Sequence, residues 1–107
     1  MTLAALLEEL KEVDPKLYDD ISHLELIGWQ QPRNQAMDHL QGSIQRACER
    51  RGDWEVSVWW KDNKWVALIR LPGGYTDPHK VFAEESDSAA EALLAAYIAA
   101  VRAEAKR

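Results

Sequence analysis

Apolar positions near the start of the chain recur at the spacing of α-helices. Leucines at steps of three and four residues follow Thr2, a favoured N-cap, and predict a short amphipathic helix over residues 3–12. Asp14-Pro15 is a second start signal, because Asp caps a helix N-terminus and Pro fits its first turn. The pattern therefore predicts a second helix over residues 15–26, with Gly28 as its stop.

The apolar period changes from that of a helix to that of a strand in the middle of the chain. A third helical pattern runs from Asn34 to Gly52, and strict alternation follows over Trp54–Leu71. The polar segment Lys61–Lys64 divides this alternating stretch, so the sequence predicts a β-hairpin. Residues 79–84 are β-prone and follow a Pro- and Gly-rich break, which indicates a third strand.

The last twenty residues have the composition of a packed helix. Ser88–Glu91 matches a capping box, and an alanine-rich stretch follows it to Ala105. Its apolar residues surround more than half of the helix, so most of its surface is expected to be covered.

Apolar side chains on both faces of the hairpin decide the predicted architecture. Trp59, Val66 and Leu68 are expected on the face opposite Val58 and its neighbours, and a sheet with two apolar faces needs cover on both. We therefore expect Trp59, Trp60 and Trp65 to be packed in the core. The prediction is a single α+β domain over residues 1–107, with residues 1–13 as an appendage. Its fold is a three-layer sandwich of helix, antiparallel sheet and helix, in the order α-α-α-β-β-β-α.

Several short segments together resemble a known family. These are Ile27–Trp29 at the end of a helix, a second helix over Ala36–Cys48, the hairpin entry Gly52–Val56 and the alanine-rich Ser88–Ala96. In this order they resemble the phage ABA sandwich family of small phage and prophage proteins, over residues 17–101. The resemblance implies a helix–sheet–helix fold and an origin in a mobile genome. It implies no reaction and no catalytic residues.

The charge balance limits the classes of partner. The chain has 18 acidic and 13 basic residues and a net charge of -5, which disfavours binding to nucleic acid through phosphates. A double-stranded-RNA-binding domain has a similar element order but needs basic residues where Glu84–Ser88 is acidic or neutral. The sequence has no apolar run of about 18 residues and no basic leader, so we expect no membrane contact and a cytoplasmic location. The resemblance implies that this cytoplasm is that of a bacterial host.

Candidate catalytic and metal-binding residues are few. Asp19 and His23 are spaced to share one side of a helix, but the local sequence offers no third metal ligand. His39 and His79 form no nucleophile–base motif with a nearby residue. Cys48 continues an apolar stripe and is expected to be a buried thiol. We predict no catalytic residue, no metal ligand and no cofactor.

The remaining signal is acidic surface, which favours protein binding. Acidic residues cluster in the first two helices and at one end of the predicted sheet, and such surfaces steer association with basic partners. The predicted partner-binding residues are Glu8, Glu9, Glu12, Asp19, Asp20, Glu84, Glu85 and Asp87. Together with the phage or prophage origin that the resemblance implies, this surface makes the expected function that of a non-enzymatic accessory protein, an inhibitor or adaptor of a host or defence protein. A second copy of the chain is a further candidate partner.

Two alternative functions stay open at this point. The first is a small nucleic-acid-binding module that uses the aromatic hairpin as its platform, with Lys61, Lys64 and Arg70 near the tryptophans. The second is a metal-dependent enzyme built around Asp19 and His23.

Overall fold

Helices flank an antiparallel sheet, in an α+β sandwich that confirms the predicted fold class and order. The computed structural model describes residues 2–22 and 34–106. Within them the helices are α1 (Leu3–Val13), α2 (Pro15–Ile21), α3 (Asn34–Arg50) and α4 (Ala89–Ala105). The strands are β1 (Glu55–Lys61), β2 (Lys64–Arg70) and β3 (Val81–Ser86), and a 3-10 turn covers Pro78–Lys80.

The predicted caps begin the first two helices. The Thr2 hydroxyl accepts a hydrogen bond from the Ala5 N–H at 3.2 Å, and Asp14 Oδ1 accepts one from the Leu17 N–H at 3.2 Å. Each bond satisfies an amide that has no partner within its helix. The predicted continuation of the second helix over residues 23–26 lies outside the described residues.

The predicted hairpin is confirmed, and its turn has a clear local cause. β1 and β2 pair in one uninterrupted register from Glu55 opposite Arg70 to Lys61 opposite Lys64. Asp62 and Asn63 connect the strands with φ angles of 51° and 64°. Positive φ at both central residues is the geometry of a type I′ turn, which matches the twist of the flanking strands and which Asn and Asp tolerate.

The third strand begins two residues later than the pattern predicts. Pro78–Lys80 forms a 3-10 turn in which the Asp77 carboxylate accepts the N–H of His79 at 2.9 Å. The strand then runs over Val81–Ser86 and pairs antiparallel with β2, which is the central strand. The prediction of a strand from residue 79 is wrong because proline and the aspartate cap favour a turn there.

One hydrophobic cluster joins the helices to one face of the sheet. α4 packs across β2 and β3 and also contacts α1 and α3. The largest fully buried side chain of α4 is Tyr97, and Leu93 and Leu94 of the same helix are equally buried. The sheet contributes Val56, Val58, Ala67, Ile69 and Phe82, and α1 contributes Leu6, Leu7 and Leu10.

Two of the hairpin tryptophans are more exposed to solvent than predicted. Trp59 is 38% exposed and Trp60 is 55% exposed, so the expectation that both are core residues is wrong. Trp59 shares a face with Val66, which is buried but lies outside the hydrophobic cluster. Trp60 lies on the cluster side of the sheet but next to the hairpin turn, beyond the packed centre. Alternation assigns a side chain to a face, but it cannot tell how far the helices extend over that face.

Candidate functional site

A groove opens between α3, the hairpin and the first turn of α4. Its volume is about 960 Å³. Its apolar walls include Met37, Val58 and Trp65. Its carboxylates are Asp38, Asp87 and Glu91. The groove therefore combines apolar surface with three carboxylates from two different helix termini.

A short relay of hydrogen bonds fixes the acidic end of this groove. The Ser88 hydroxyl caps α4 by accepting the Glu91 N–H at 3.4 Å, and the Ser86 hydroxyl donates to Glu91 Oε2 at 2.9 Å. Ser86 Oγ also accepts the Ser88 N–H at 3.4 Å. The capping box is thus completed through Ser86, which holds the Glu91 carboxylate in place. The positive end of the α4 dipole favours acids at this position.

One wall of the groove is formed by Trp65, which pairs with Trp60 near the hairpin turn. Trp60 and Trp65 are directly opposite each other on β1 and β2, and their rings meet edge to face at 5.5 Å. Trp65 lines the groove, whereas Trp60 is largely exposed at its margin. This pair extends the apolar surface from the groove to the edge of the sheet.

The predicted acidic residues of the sheet end do not form one surface. Val66 is paired with Glu85, and Ala67 is paired with Glu84. The two glutamates are exposed and point to opposite faces of the sheet, because successive side chains of a strand alternate. Of the predicted set, only Asp87 lines the groove.

Asp38 is a groove residue that no sequence motif identifies. Of its two sequence neighbours only His39 is titratable, and the two form no recognisable motif. Only the packing of α3 against α4 brings it close to Asp87 and Glu91, which lie about fifty residues later. The sequence identifies Glu91 as a helix-capping residue, and its place in the groove likewise depends on tertiary packing.

The predicted acidic residues of α1 and α2 lie elsewhere on the molecule. Glu9 forms an ion pair of 3.6 Å with Arg102, about three turns or roughly 16 Å along α4 from Glu91. Glu8 and Glu12 are exposed on the same helix as Glu9. Asp19 and Asp20 are also exposed, and Asp20 borders a small cleft of about 170 Å³. That cleft also contains Lys16, Arg50 and Arg51, so basic residues offset its acidic charge.

A second cluster of polar and aromatic groups joins four segments of the chain. Tyr97 donates a hydrogen bond of 2.6 Å to Asp14 Oδ2, and Arg51 donates from Nε to the Tyr97 hydroxyl at 2.9 Å. The Arg51 guanidinium lies 3.3 Å from Asp14 Oδ2 and 5.5 Å from the Trp54 ring centre. Every polar group at the centre of this cluster has a protein partner, which is the arrangement of a structural joint.

The environment of this joint shifts the pKa of its groups. Burial raises the pKa of Asp14, but hydrogen bonds from Tyr97, the Leu17 amide and Arg51 outweigh it, so the net pKa is lowered. Burial also raises the pKa of Tyr97, and its hydrogen bond to Asp14 raises it further. Asp14 is therefore held ionised and Tyr97 protonated, which keeps the donor and acceptor pattern fixed.

The cysteine and histidine candidates for catalysis or metal binding do not cluster with one another among the described residues. Cys48 is buried, as predicted, and burial raises its pKa to about 12, so the thiol stays protonated. His39 and His79 are exposed, and His23 lies outside the described residues, so its predicted pairing with Asp19 is not placed. Within residues 2–22 and 34–106, no three His, Cys, Asp or Glu side chains are grouped to hold a metal ion. No helix in the described part of the chain is long and apolar enough to span a membrane.

Comparison of the chain with protein-family models, with curated proteins and with solved structures finds no match in any of the three. The resemblance to the phage ABA sandwich family therefore stays a prediction from the sequence.

Proposed function

We propose that this protein acts by binding another protein, and that the groove between α3 and α4 receives a basic amphipathic segment of that partner. The observation that carries the proposal is the combination of Asp38, Asp87 and Glu91 with an apolar wall that includes Val58 and Trp65. An amphipathic helix docks in such grooves through its apolar face, and its flanking charges select the partner.

The electrostatics favour a cationic occupant. The three carboxylates come from α3 and from the start of α4, so lysine or arginine side chains on either side of a bound segment could reach one of them. The net charge of -5 adds a longer-range attraction for a basic partner, and this attraction weakens as salt increases. The apolar wall supplies affinity that salt does not screen.

The test is a binding titration with a designed peptide whose leucines and lysines lie on opposite faces of a helix. We expect saturable binding to the intact protein, measured by calorimetry, and no binding of the same peptide with glutamate in place of lysine. The double variant Asp38→Asn, Asp87→Asn should weaken binding about tenfold or more, because both carboxylates line the groove.

The matched control removes two charges from the other acidic cluster. Glu8→Gln, Glu12→Gln changes the net charge by the same amount on exposed positions of α1. This control should stay within about twofold of the unchanged protein. If both double variants lost the same affinity for the peptide, binding would depend on net charge alone and the groove would not be the binding site.

A nucleic-acid-binding function is the second candidate, because Trp59 and Trp60 are exposed beside Lys61 and Lys64. Exposed aromatic rings next to basic side chains are the platform on which single-stranded bases stack. A gel shift with single-stranded and double-stranded probes at moderate salt tests it. Binding that Trp60→Ala abolishes would favour this function over protein binding.

The biological role rests on the sequence resemblance. An accessory protein of a phage or prophage, working as inhibitor or adaptor in the bacterial cytoplasm, fits a small acidic binding domain. Genes encoding structural, lysis or defence-antagonist proteins next to its own gene would support this role. A location among unrelated metabolic genes would count against it.

A further inference from the structure

The outer edge of β1 has no strand partner among residues 2–22 and 34–106. In the described part of the chain, β1 is an edge strand of seven residues, and its register with β2 is continuous, without a bulge. The strand contains no proline, and a charge stands only at each of its ends. Long, regular and uncharged edges are the ones that pair with other chains.

The opposite edge of the sheet has the protection that β1 lacks. β3 is one residue shorter and carries adjacent exposed carboxylates at Glu84 and Glu85. Two copies of β3 placed side by side would bring like charges together, which is unfavourable. The contrast directs self-association to β1.

The hairpin geometry tells which backbone groups of β1 point outward. A two-residue turn makes Lys61 and Lys64 a hydrogen-bonded pair, and such pairs alternate along an antiparallel ladder. Residues 55, 57, 59 and 61 therefore bond to β2. Val56, Val58 and Trp60 direct their N–H and C=O groups to the open side.

We propose that two copies of this chain pair antiparallel through β1, with Val58 opposite Val58 of the second copy. This register pairs all seven residues of the strand and forms about six new backbone hydrogen bonds from the outward-facing groups. It extends the three-stranded sheet to six strands about a two-fold axis. Isologous contacts of this kind are the commonest route to a homodimer.

Charge complementarity supports this register. It places Glu55 of each copy opposite Lys61 of the other, and both side chains lie on the same face of the sheet. Glu55 is already held at the edge by Arg70 at 3.2 Å and by the Tyr75 hydroxyl at 2.6 Å. Lys61 lies opposite Lys64 within its own hairpin, so a carboxylate from the second copy would relieve a like-charge pair.

A cleft beside the start of β1 fits the exposed tryptophan of the second copy. In the proposed register, Trp60 of the second copy lies directly opposite Val56 and on the same face. Val56 borders a cleft of about 270 Å³, whose other walls are Gln45, Glu49 and Trp54. The indole would enter this cleft, which would cover the ring that is 55% exposed in the single chain.

Sedimentation equilibrium of the full chain tests the dimer, with three substitutions to locate it. We expect a dimer below about 100 μM protein, and a monomer for Val58→Pro, which removes an outward N–H that has no backbone partner in the described part of the chain. Trp60→Ala should weaken the dimer roughly thirtyfold or more, because each dimer contains two such contacts.

A charge reversal at Lys61 and a control at Lys64 separate the contact at the β1 edge from the effect of net charge alone. Lys61→Glu should weaken the dimer about tenfold, because it opposes Glu55 of the second copy with another carboxylate. Lys64→Glu makes the same change of charge and also removes the lysine pair, but β2 does not touch the second copy. It should leave the dimer within about twofold.

Amide exchange gives a second readout that does not depend on a substitution. The N–H groups of residues 56, 58 and 60 should gain protection as protein concentration rises, because they bond only in the dimer. A chain that is monomeric at about 100 μM overturns the proposal. So does a dimer that tolerates Trp60→Ala and Val58→Pro. Neither result bears on peptide binding in the groove, which is measured separately.

Discussion

The two ends of β1 place the same residue type in opposite environments. Trp54, just before the strand, is 8% exposed and contacts Tyr97 at 6.2 Å between ring centres. Trp60, near the hairpin turn, is 55% exposed, and its ring pair within residues 2–22 and 34–106 is with the neighbouring hairpin Trp65. Both side chains lie on the face of the sheet that the helices contact. Trp54 belongs to the hydrophobic cluster that the helices form with the sheet, whereas Trp60 lies outside this cluster among the described residues.

This comparison separates a part of the molecule that maintains the fold from a part that is available for binding. At the base, Arg51 joins Trp54, Tyr97 and Asp14, so residues distant in sequence depend on one another. At the tip, an aromatic pair and the margin of the groove face solvent. Four stability measurements test this distinction.

Trp54→Ala should have the largest effect. Removal of this buried ring leaves a cavity beside Tyr97 and takes away the aromatic surface over which Arg51 lies. We expect the free energy of unfolding to fall by about 3–5 kcal/mol, measured by urea denaturation. A loss below about 1 kcal/mol would mean that the base of the hairpin is not a structural joint.

Tyr97→Phe should have the second largest effect on stability. The substitution removes one hydroxyl that donates to Asp14 at 2.6 Å and accepts from Arg51 at 2.9 Å, while the ring stays. The expected loss is about 1–3 kcal/mol, because two charged groups lose a partner. Tyr75→Phe is the matched control, since its hydroxyl also bonds a carboxylate but its side chain is 74% exposed. The control should change stability by about 0.5 kcal/mol or less.

Acid should weaken the same joint through Asp14. The pKa of Asp14 is lowered below its ordinary value of 3.8, so its carboxylate stabilises the fold above that pH. The contribution is lost as pH falls through the lower, folded-state pKa. Near neutral pH, the free energy of unfolding measured by urea denaturation should be about 1–2 kcal/mol higher for the wild type than for Asp14→Asn. This difference should become smaller at about pH 3. A stability difference that increases in acid would contradict the stabilising role of the ionised Asp14 carboxylate.

Trp60→Ala should have the smallest effect on the single chain. Its ring is more than half exposed, so truncation removes little buried surface, and we expect a change of about 1 kcal/mol or less in dilute protein. Denaturation at low concentration keeps self-association out of the measurement. A loss equal to that of Trp54→Ala would erase the difference between the two ends of the strand.

Local signals in the sequence determined most of the secondary structure. Thr2, Asp14 and Ser88 cap the helices as predicted, because a cap depends on a side chain and an amide only three residues apart. The hairpin followed from alternation and from a turn that tolerates positive φ. The third strand begins later than predicted, because Pro78 and the Asp77 cap hold residues 78–80 in a 3-10 turn.

The candidate site could not be predicted in the same way. The sequence indicated acidic clusters, and Asp87 is in the groove, but Glu84 and Glu85 point to different faces and Glu9 pairs with Arg102. Asp38 carries no local signal, because its importance depends on the contact between α3 and α4. Long-range neighbours of this kind are set by packing, which a pattern of single residues does not record.

The tryptophan-rich hairpin shows this division most clearly. The sequence by itself determined that residues 54–71 form two antiparallel strands, and which side chains share a face, because a strand repeats every two residues. Only the tertiary structure decided that Trp54 is buried and Trp60 is open, because helices of fixed length cover part of that face. Burial depends on what lies above a side chain, and the sequence pattern of a strand records only the direction in which the side chain points.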